Sequence, residues 1–300
     1  MTPVVAVALA AGLDRLLAEP PASVHPVAWL GRGIGALDRA WSHPRVVGVA
    51  TALSVPLLVA VVVAIVVAVA AAASPVGGAV TAGLVCFVST SRRMLVDEAR
   101  AVVAASGTTL PAARKRLRSL VGRDTTDLSA GEVRSAAVES AAENLADGLV
   151  APLAGFALVA PLSLPAAAGA AAAIKAVNTL DSTFGYRSEP MGWGPARLDD
   201  LVMWVPARAS ACLLAVAGGR PGAVLRALRA ADEPSSPNSG WPMATLAAVL
   251  GVRLAKPGAY ALDGGPDLPT RADADRGVAV VSRAGWLAFG LAAVGVVAAC

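Results

Sequence analysis

The sequence predicts an all-α fold: a polytopic helical integral membrane protein with a broken, re-entrant helical segment and a polar helical cytoplasmic segment. Three observations predict it. The 300-residue chain is 56% hydrophobic and only 15% charged, against ~25% charged in ordinary soluble domains, and its mean hydropathy is +0.64. Residues Val46 to Ser91 contain no Asp, Glu, Lys, Arg or His, and one bilayer crossing takes about 20 apolar residues. Pro152, Pro161 and Pro165 interrupt a second uncharged run, Gly148 to Ile174. This composition fits poorly with disorder, a coiled coil, a disulfide-rich secreted module or an ordinary soluble enzyme.

One domain is expected over 1–300, with apolar membrane segments at 3–17, 46–73, 77–91, 148–174, 201–219, 241–254 and 284–300 and a polar helical segment at 92–147. The first segment is apolar except for Asp14 and Arg15; it lacks the positive leading region of a signal peptide and reads as a retained helix. Ser74-Pro75-Val76-Gly77-Gly78 supplies breakers between the second and third segments. The run at 148–174 reads as one kinked span or as two half-helices, since irregular backbone is tolerated at membrane depth when protein covers it. Leu201 to Gly219 carries Pro206 and Arg208, Trp241 to Val252 is too short to span alone, and Ala284 to Cys300 is an uncharged closing span.

Orientation follows from charge. Arg92, Arg93, Arg100, Arg114, Lys115, Arg116, Arg118, Arg123 and Arg134 form the densest basic cluster, which places 92–147 in the cytoplasm. Two spans earlier, the 18–45 loop with Arg32, Arg39 and Arg45 falls on the same side. The net charge is only +4, and no basic stripe interleaved with aromatics appears, so nucleic acid is not an expected partner. Cys86, Cys212 and Cys300 are odd in number and form no CxxC pair, which speaks against a disulfide framework and a zinc site.

The chemistry concentrates in four short motifs. Ser129 and Glu132 form a capping-box pattern at the start of a helix. Along that helix Glu139, Glu143 and Asp147 recur every four residues and share a face, with Asn144 beside them. Like charges so spaced repel, so stability alone does not favour them. They read either as a solvated polar face or as an oxygen-rich Mg²⁺ site. Lys175, Asn178 and Asp181 stand three apart at the end of an apolar run. Snorkelling accounts for a lysine there but not for Asn178 and Asp181. Arg197, Asp199 and Asp200 precede Pro206-Ala207-Arg208, where paired acids can simply complement a helix dipole. Ser236-Pro237-Asn238-Ser239-Gly240-Trp241-Pro242 has the composition of a turn. Together the motifs hold the inventory of phosphate and metal chemistry, with no Walker A loop and no dinucleotide glycine fingerprint. The absence of a fixed-period repeat counts against a transporter built from parallel repeats.

At these residues the chain resembles the CobD/CbiB family of membrane-bound adenosylcobinamide-phosphate synthases. The resemblance runs through Leu120-Val121-Gly122-Arg123-Asp124-Thr125, Ala137-Val138-Glu139-Ser140, Ala142-Glu143-Asn144, Asp147-Gly148 and Ala151-Pro152-Leu153. It continues through Lys175-Ala176-Val177-Asn178-Thr179-Leu180-Asp181-Ser182, Gly185-Tyr186, Ala196-Arg197-Leu198-Asp199-Asp200, Pro206-Ala207-Arg208 and the 236–242 run, in order over nearly the whole chain. Leu13-Asp14, His25-Pro26-Val27 and Gly31 also fit. Two departures stand out. The family's Gly-Asp-Pro is here Ala18-Glu19-Pro20, and Pro234-Ser235 stands where the family usually has a His before Ser236-Pro237-Asn238.

The resemblance implies amide formation in cobalamin biosynthesis, between a carboxylate of adenosylcobyric acid and aminopropanol or its O-phosphate. It further implies ATP activation of the carboxylate with Mg²⁺, and no haem, flavin or zinc. It assigns Mg²⁺ to Glu139, Glu143, Asn144 and Asp147. Arg123 and Arg197 would bind phosphates, with Asp124, Thr125, Asn178 and Asn238 as further substrate or phosphate contacts. Glu139 and Asp147 would serve catalysis, Lys175 would steady an acyl phosphate, and Asp181 or Asp199 would accept the amine proton. The implied partners are the corrinoid, the amine, the lipid bilayer and other enzymes of the pathway. Because ATP is cytosolic, 175–181 belongs on the same side as 139–147, which selects the re-entrant reading with its turn at Pro161-Leu162-Ser163-Leu164-Pro165. The implied location is the cell membrane, multi-pass, with a cytoplasmic active site. The alternatives are a non-catalytic membrane scaffold paralogue and a corrinoid or small-molecule transporter.

Overall fold

The computed structural model describes residues 2–185 and 189–299; Tyr186 and Cys300 lie outside them. The helices are α1 (Thr2–Leu17), α2 (Pro26–Gly35), α3 (Pro44–Ala73), α4 (Pro75–Ser89), α5 (Arg92–Ser106), α6 (Leu110–Leu117) and α7 (Ala130–Leu145). A π-turn, Ala146–Val150, joins α7 to α8 (Ala151–Val159). Then follow α9 (Leu164–Phe184), α10 (Trp193–Val202), α11 (Trp204–Ala217), α12 (Ala223–Ala227), α13 (Gly240–Leu250), strands β1 (Arg253–Lys256) and β2 (Tyr260–Asp263), and α14 (Arg271–Ala299). The hairpin corrects the all-α expectation. The apolar run at 241–254 is an 11-residue helix that leads into β1.

Among the described residues four helices are long and apolar enough to cross a membrane: Pro44–Ala73, Pro75–Ser106, Ala130–Val159 and Arg271–Ala299. α10 and α11 make a fifth if the pair, bent by 49°, is taken as one span. The mostly helical chain with these helices is compatible with a membrane protein. The third of these runs through Asp147.

The described residues group into two compact units. The first comprises Met1–Ser91, Asp147–Met203 and Ala288–Cys300. In it α3 packs on α4 and α9, and α1 lies on α4. Ser74 ends α3 and caps α4, its hydroxyl accepting the Gly77 N–H at 2.9 Å, so the breaker motif acts where expected. Only 11% of the most apolar stretch of α3 is buried inside the protein. The α3–α9 contact is backbone-close, since a Cβ on Gly169 would meet the Ala60 carbonyl, and small residues serve this purpose between membrane helices. Ile34, Leu180 and Phe184 form a buried cluster that seats α2 on α9. The chain turns over Ala160–Ser163 and α9 packs back along α8, with the Ser163 hydroxyl accepting the Ala166 N–H at 3.2 Å.

The second unit comprises Arg92–Ala146 and Trp204–Leu287. Here α7 packs against α5, α13 and β1. Its capping box forms as expected: the Ser129 hydroxyl accepts the Glu132 N–H at 3.3 Å, and Glu132 accepts the Ser129 N–H at 2.7 Å. Such a cap is worth about 1 kcal/mol. In the hairpin Leu254 faces Leu262, and both are fully buried.

Candidate functional site

In the first unit the polar groups that the sequence scatters converge on Lys175. Glu19, in the loop after α1, and Asp147, in the π-turn, both supply negative charge to its ammonium. The π-turn has a direct effect here. It interrupts the four-residue repeat of Glu139, Glu143 and Asp147, because each π-turn inserts backbone that shifts the helical phase. Asp147 belongs to the first unit and lies near Lys175, while Glu139 and Glu143 belong to the second. The turn is held in place where the Ser91 N–H donates to the Gly148 carbonyl at 2.9 Å.

Glu19 and His25 were not among the sequence-derived site residues. His25 caps α2, its Nδ1 accepting the Val27 N–H at 3.2 Å. Its Nε2 lies 3.6 Å from a carboxylate oxygen of Glu19, and only 8% and 18% of the two side chains are exposed. Burial holds the His25 imidazole below its ordinary range, and the Lys175 charge lowers it further, so the ring is neutral at pH 7. Burial raises the Glu19 carboxyl, against the opposing effects of Lys175 and of a hydrogen bond with Ser91. The only sequence signal for either residue is that each sits in a family motif near the N-terminus.

Lys175 also lines a cavity of about 400 Å³, walled mainly by Leu58, Val62, Val85 and Val88 of α3 and α4. Elsewhere on α9 the Asp181 carboxylate occupies the space a Cβ on residue 185 would need, which accounts for glycine there. The Asn178 carbonyl accepts the Ser182 hydroxyl at 2.9 Å. On α10 Arg197 pairs with Asp200 at 3.6 Å and is largely exposed, while Asp199 is half-buried.

In the second unit Glu139 is 4% exposed. One of its oxygens accepts the Ser135 hydroxyl at 2.6 Å, the other the Tyr260 hydroxyl at 2.7 Å. Ser135 in turn accepts the Ala255 N–H at 2.8 Å, so the carboxylate docks the hairpin onto α7. Tyr260 was not anticipated, since its stretch carries no motif. Asn144 donates to the Ser140 carbonyl at 3.0 Å. Among the described residues no three His, Cys, Asp or Glu side chains are grouped to hold a metal ion. Of the Mg²⁺ ligands the resemblance implies, Glu139, Glu143 and Asn144 belong to the second unit and Asp147 to the first.

The loop before α7 divides its roles. Thr125 is fully buried and donates to the Arg114 carbonyl at 2.8 Å, a structural bond. Asp124 accepts the Thr126 N–H and hydroxyl, at 3.0 and 2.6 Å, and these bonds lower its carboxyl below the usual range. Arg123 differs from both. Its Nε and one terminal nitrogen are buried without a hydrogen-bond acceptor among the described residues. Asn238 accepts from Arg208 at 3.0 Å, and the Arg208 guanidinium lies over the rings of Trp204 and Trp241 at 4.3 and 4.7 Å.

The chain matches the model of the family described as CobD/Cbib protein over residues 7–287. It is 35% identical over 300 residues to a probable cobalamin biosynthesis protein CobD of Methanothrix thermoacetophila, covering 95% of this chain and 94% of that one. It is 37% identical over 297 residues to a cobalamin biosynthesis protein CobD of Rhodobacter capsulatus, with 92% of each covered. A cobalamin biosynthesis protein CobD of Geobacter metallireducens is 38% identical over 286 residues, with 88% and 87% covered. No solved structure matches the chain.

Proposed function

Because the chain belongs to the CobD/CbiB family of cobalamin biosynthesis proteins, we propose that it joins a carboxylate of adenosylcobyric acid to aminopropanol or its O-phosphate. The product is adenosylcobinamide or its phosphate. A carboxylate does not condense with an amine unaided at neutral pH, because its leaving group would be oxide. In this reading ATP activates it, and Mg²⁺ arrives on the nucleotide phosphates, as is usual for this ion. Catalysis takes place at the cytoplasmic face of the cell membrane.

The observation that carries the reading is Arg123. A guanidinium with buried, unmatched donors is costly unless an acceptor arrives, and a phosphate accepts two parallel N–H bonds from it. Arg123 is thus the phosphate anchor of this proposal. In the first unit Lys175 offers a point charge to a substrate phosphate, with Asp147 balancing it. Arg197 and Asn178 contact substrate, and Asp181 or Asp199 takes the amine proton. Glu139 holds the fold of its unit.

The test is to incubate membranes carrying the protein with adenosylcobyric acid, aminopropanol phosphate and Mg-ATP, and to follow the corrinoid by mass. The amide product is expected from wild type, and Arg123→Ala should lower turnover about 100-fold, in line with loss of one preorganised charge-stabilising donor. Absence of product from wild type, or full activity in Arg123→Ala, would overturn the assignment.

A further inference from the structure

We propose that Arg208 is the centre of a phosphate-binding site in the second unit, its guanidinium held against Trp204 and Trp241 and offering its remaining edge, Nε and Nη2, to two oxygens of one phosphate group. The site is separate from Arg123 and does not depend on the amide-forming reading.

Its parts come from two motifs 30 positions apart. Pro206-Ala207-Arg208 lies on α11, and the 236–242 run leads into α13, which packs on α11. Pro237 and Pro242 stiffen the run, and two bonds within it fix its shape. The Asn238 N–H donates to the Ser236 hydroxyl at 3.3 Å, and the Asn238 carbonyl accepts the Trp241 N–H at 3.1 Å. Asn238 is buried. A stretch with the composition of a plain turn thus delivers a buried amide and an indole to one arginine.

Three observations on that arginine point to a ligand. The first is its fixed position. The guanidinium carbon lies 4.3 Å from the Trp204 ring centre and 4.7 Å from that of Trp241. Nη1 donates to the Trp204 carbonyl at 2.7 Å and to the Asn238 side-chain oxygen at 3.0 Å. A long side chain so held has already given up the rotamer freedom it would otherwise lose on binding.

The second is the edge left over. Among the described residues both hydrogen bonds of the guanidinium come from Nη1, and Nε and Nη2 donate none. The charge of Asp232 reaches the group without an ion pair. The N–H bonds of Nε and Nη2 run parallel, which is the arrangement that takes two oxygens of a phosphate at once.

The third is an orphaned donor in the same cluster. Trp241 Nε1 is buried with no acceptor among the described residues, whereas a buried indole N–H usually finds one and leaving it unmatched is costly. The orphan belongs to a ring that packs on the guanidinium, so one oxygen-rich group can serve both. Trp204 is 54% exposed, which leaves the cluster open on that side. A lipid headgroup and a soluble phosphate ester present the same oxygens to it.

The test is phosphate binding by the purified full chain in detergent, followed by tryptophan fluorescence at constant ionic strength. It is run in an Arg123→Ala background, which silences the other phosphate anchor. Inorganic phosphate and dihexanoyl phosphatidylglycerol are the probes, and a saturable change is expected with at least one of them. Saturation by inorganic phosphate supports the site with a soluble source, and saturation by the lipid alone supports it with a headgroup source. Arg208→Gln should weaken that binding about tenfold or more. Arg208→Lys should restore little of it, since lysine keeps the charge but not the fork. Trp241→Phe, which keeps a ring and removes the N–H, should weaken it about threefold or more. Where Arg208→Gln fails to accumulate, Arg208→Lys takes its place in the comparison. No saturation with either probe, or an affinity within twofold of the parent in the arginine variant, would overturn the site. An unchanged affinity in Trp241→Phe would overturn the part given to the indole.

Discussion

Tyr260 and Glu139 are bound across 2.7 Å, from the second strand of the hairpin to the buried face of α7. The second oxygen of Glu139 is held by Ser135 at 2.6 Å. This carboxylate is therefore an anchor for a strand pair. Burial, and then the negative charge of Glu139, push the Tyr260 phenol upward, so its hydrogen stays in place as donor.

Glu139→Ala should destabilise the protein by about 3 kcal/mol, because it strands the Ser135 and Tyr260 hydroxyls in a buried setting. Tyr260→Phe removes one donor and leaves the other bond, so its cost should be about 1 kcal/mol. Thermal unfolding in detergent measures both. A stabilisation by millimolar Mg²⁺ that disappears in Glu139→Ala would contradict the anchoring role.

Ala18→Gly should stabilise. An L-residue at φ +62° carries a left-handed penalty of roughly 1–2 kcal/mol, part of which glycine returns as extra freedom of the unfolded chain. The net expectation is a gain of about 1 kcal/mol, read as a higher melting temperature.

His25 gives the stability a pH dependence of defined sign. Its folded pKa is depressed by burial and by Lys175, so below the ordinary value of about 6.5 the unfolded chain takes up a proton that the folded one refuses. The stabilisation is fully present above that value and is lost as pH falls toward the depressed one. His25→Asn, which keeps a capping acceptor, should flatten the fall in melting temperature below pH ~6.5. An unchanged slope would refute the assignment.

The turn at Ala160–Ser163 carries a prediction about sidedness. If the α8–α9 pair is re-entrant, its far end returns to the cytoplasmic face. Single cysteines at Ser119 and Ser182, both exposed, should then react with an impermeant maleimide from the same side of sealed vesicles. Labelling from opposite sides would make α9 a crossing helix.

The local punctuation of this fold could be read from the chain because it depends on near neighbours. Ser74-Pro75, the Ser129–Glu132 pair and the prolines around 161 each act within a few residues, and each falls at a helix end. Composition likewise revealed the long apolar length of α3. What the sequence hid was long-range or depended on helical phase. Tyr260 reaches Glu139 across 121 positions, and Ser135 reaches Ala255 across 120. The four-residue carboxylate stripe assumed unbroken α-helix, and the π-turn at 146 ended it. The hairpin was masked because Leu254 and Leu262 prolong the apolar character of α13 without any turn signal stronger than Gly258.

The π-turn at Ala146–Val150 behaves as a surplus letter in an otherwise regular reading frame. Deleting one residue there would restore a uniform α-helical winding, and everything beyond it would rotate by about 100° relative to what precedes it. Asp147 and Gly148 would then leave Lys175 and Ser91 together, with no change in composition or charge except the lost residue. Length at this one locus therefore sets where Asp147 falls around the helix.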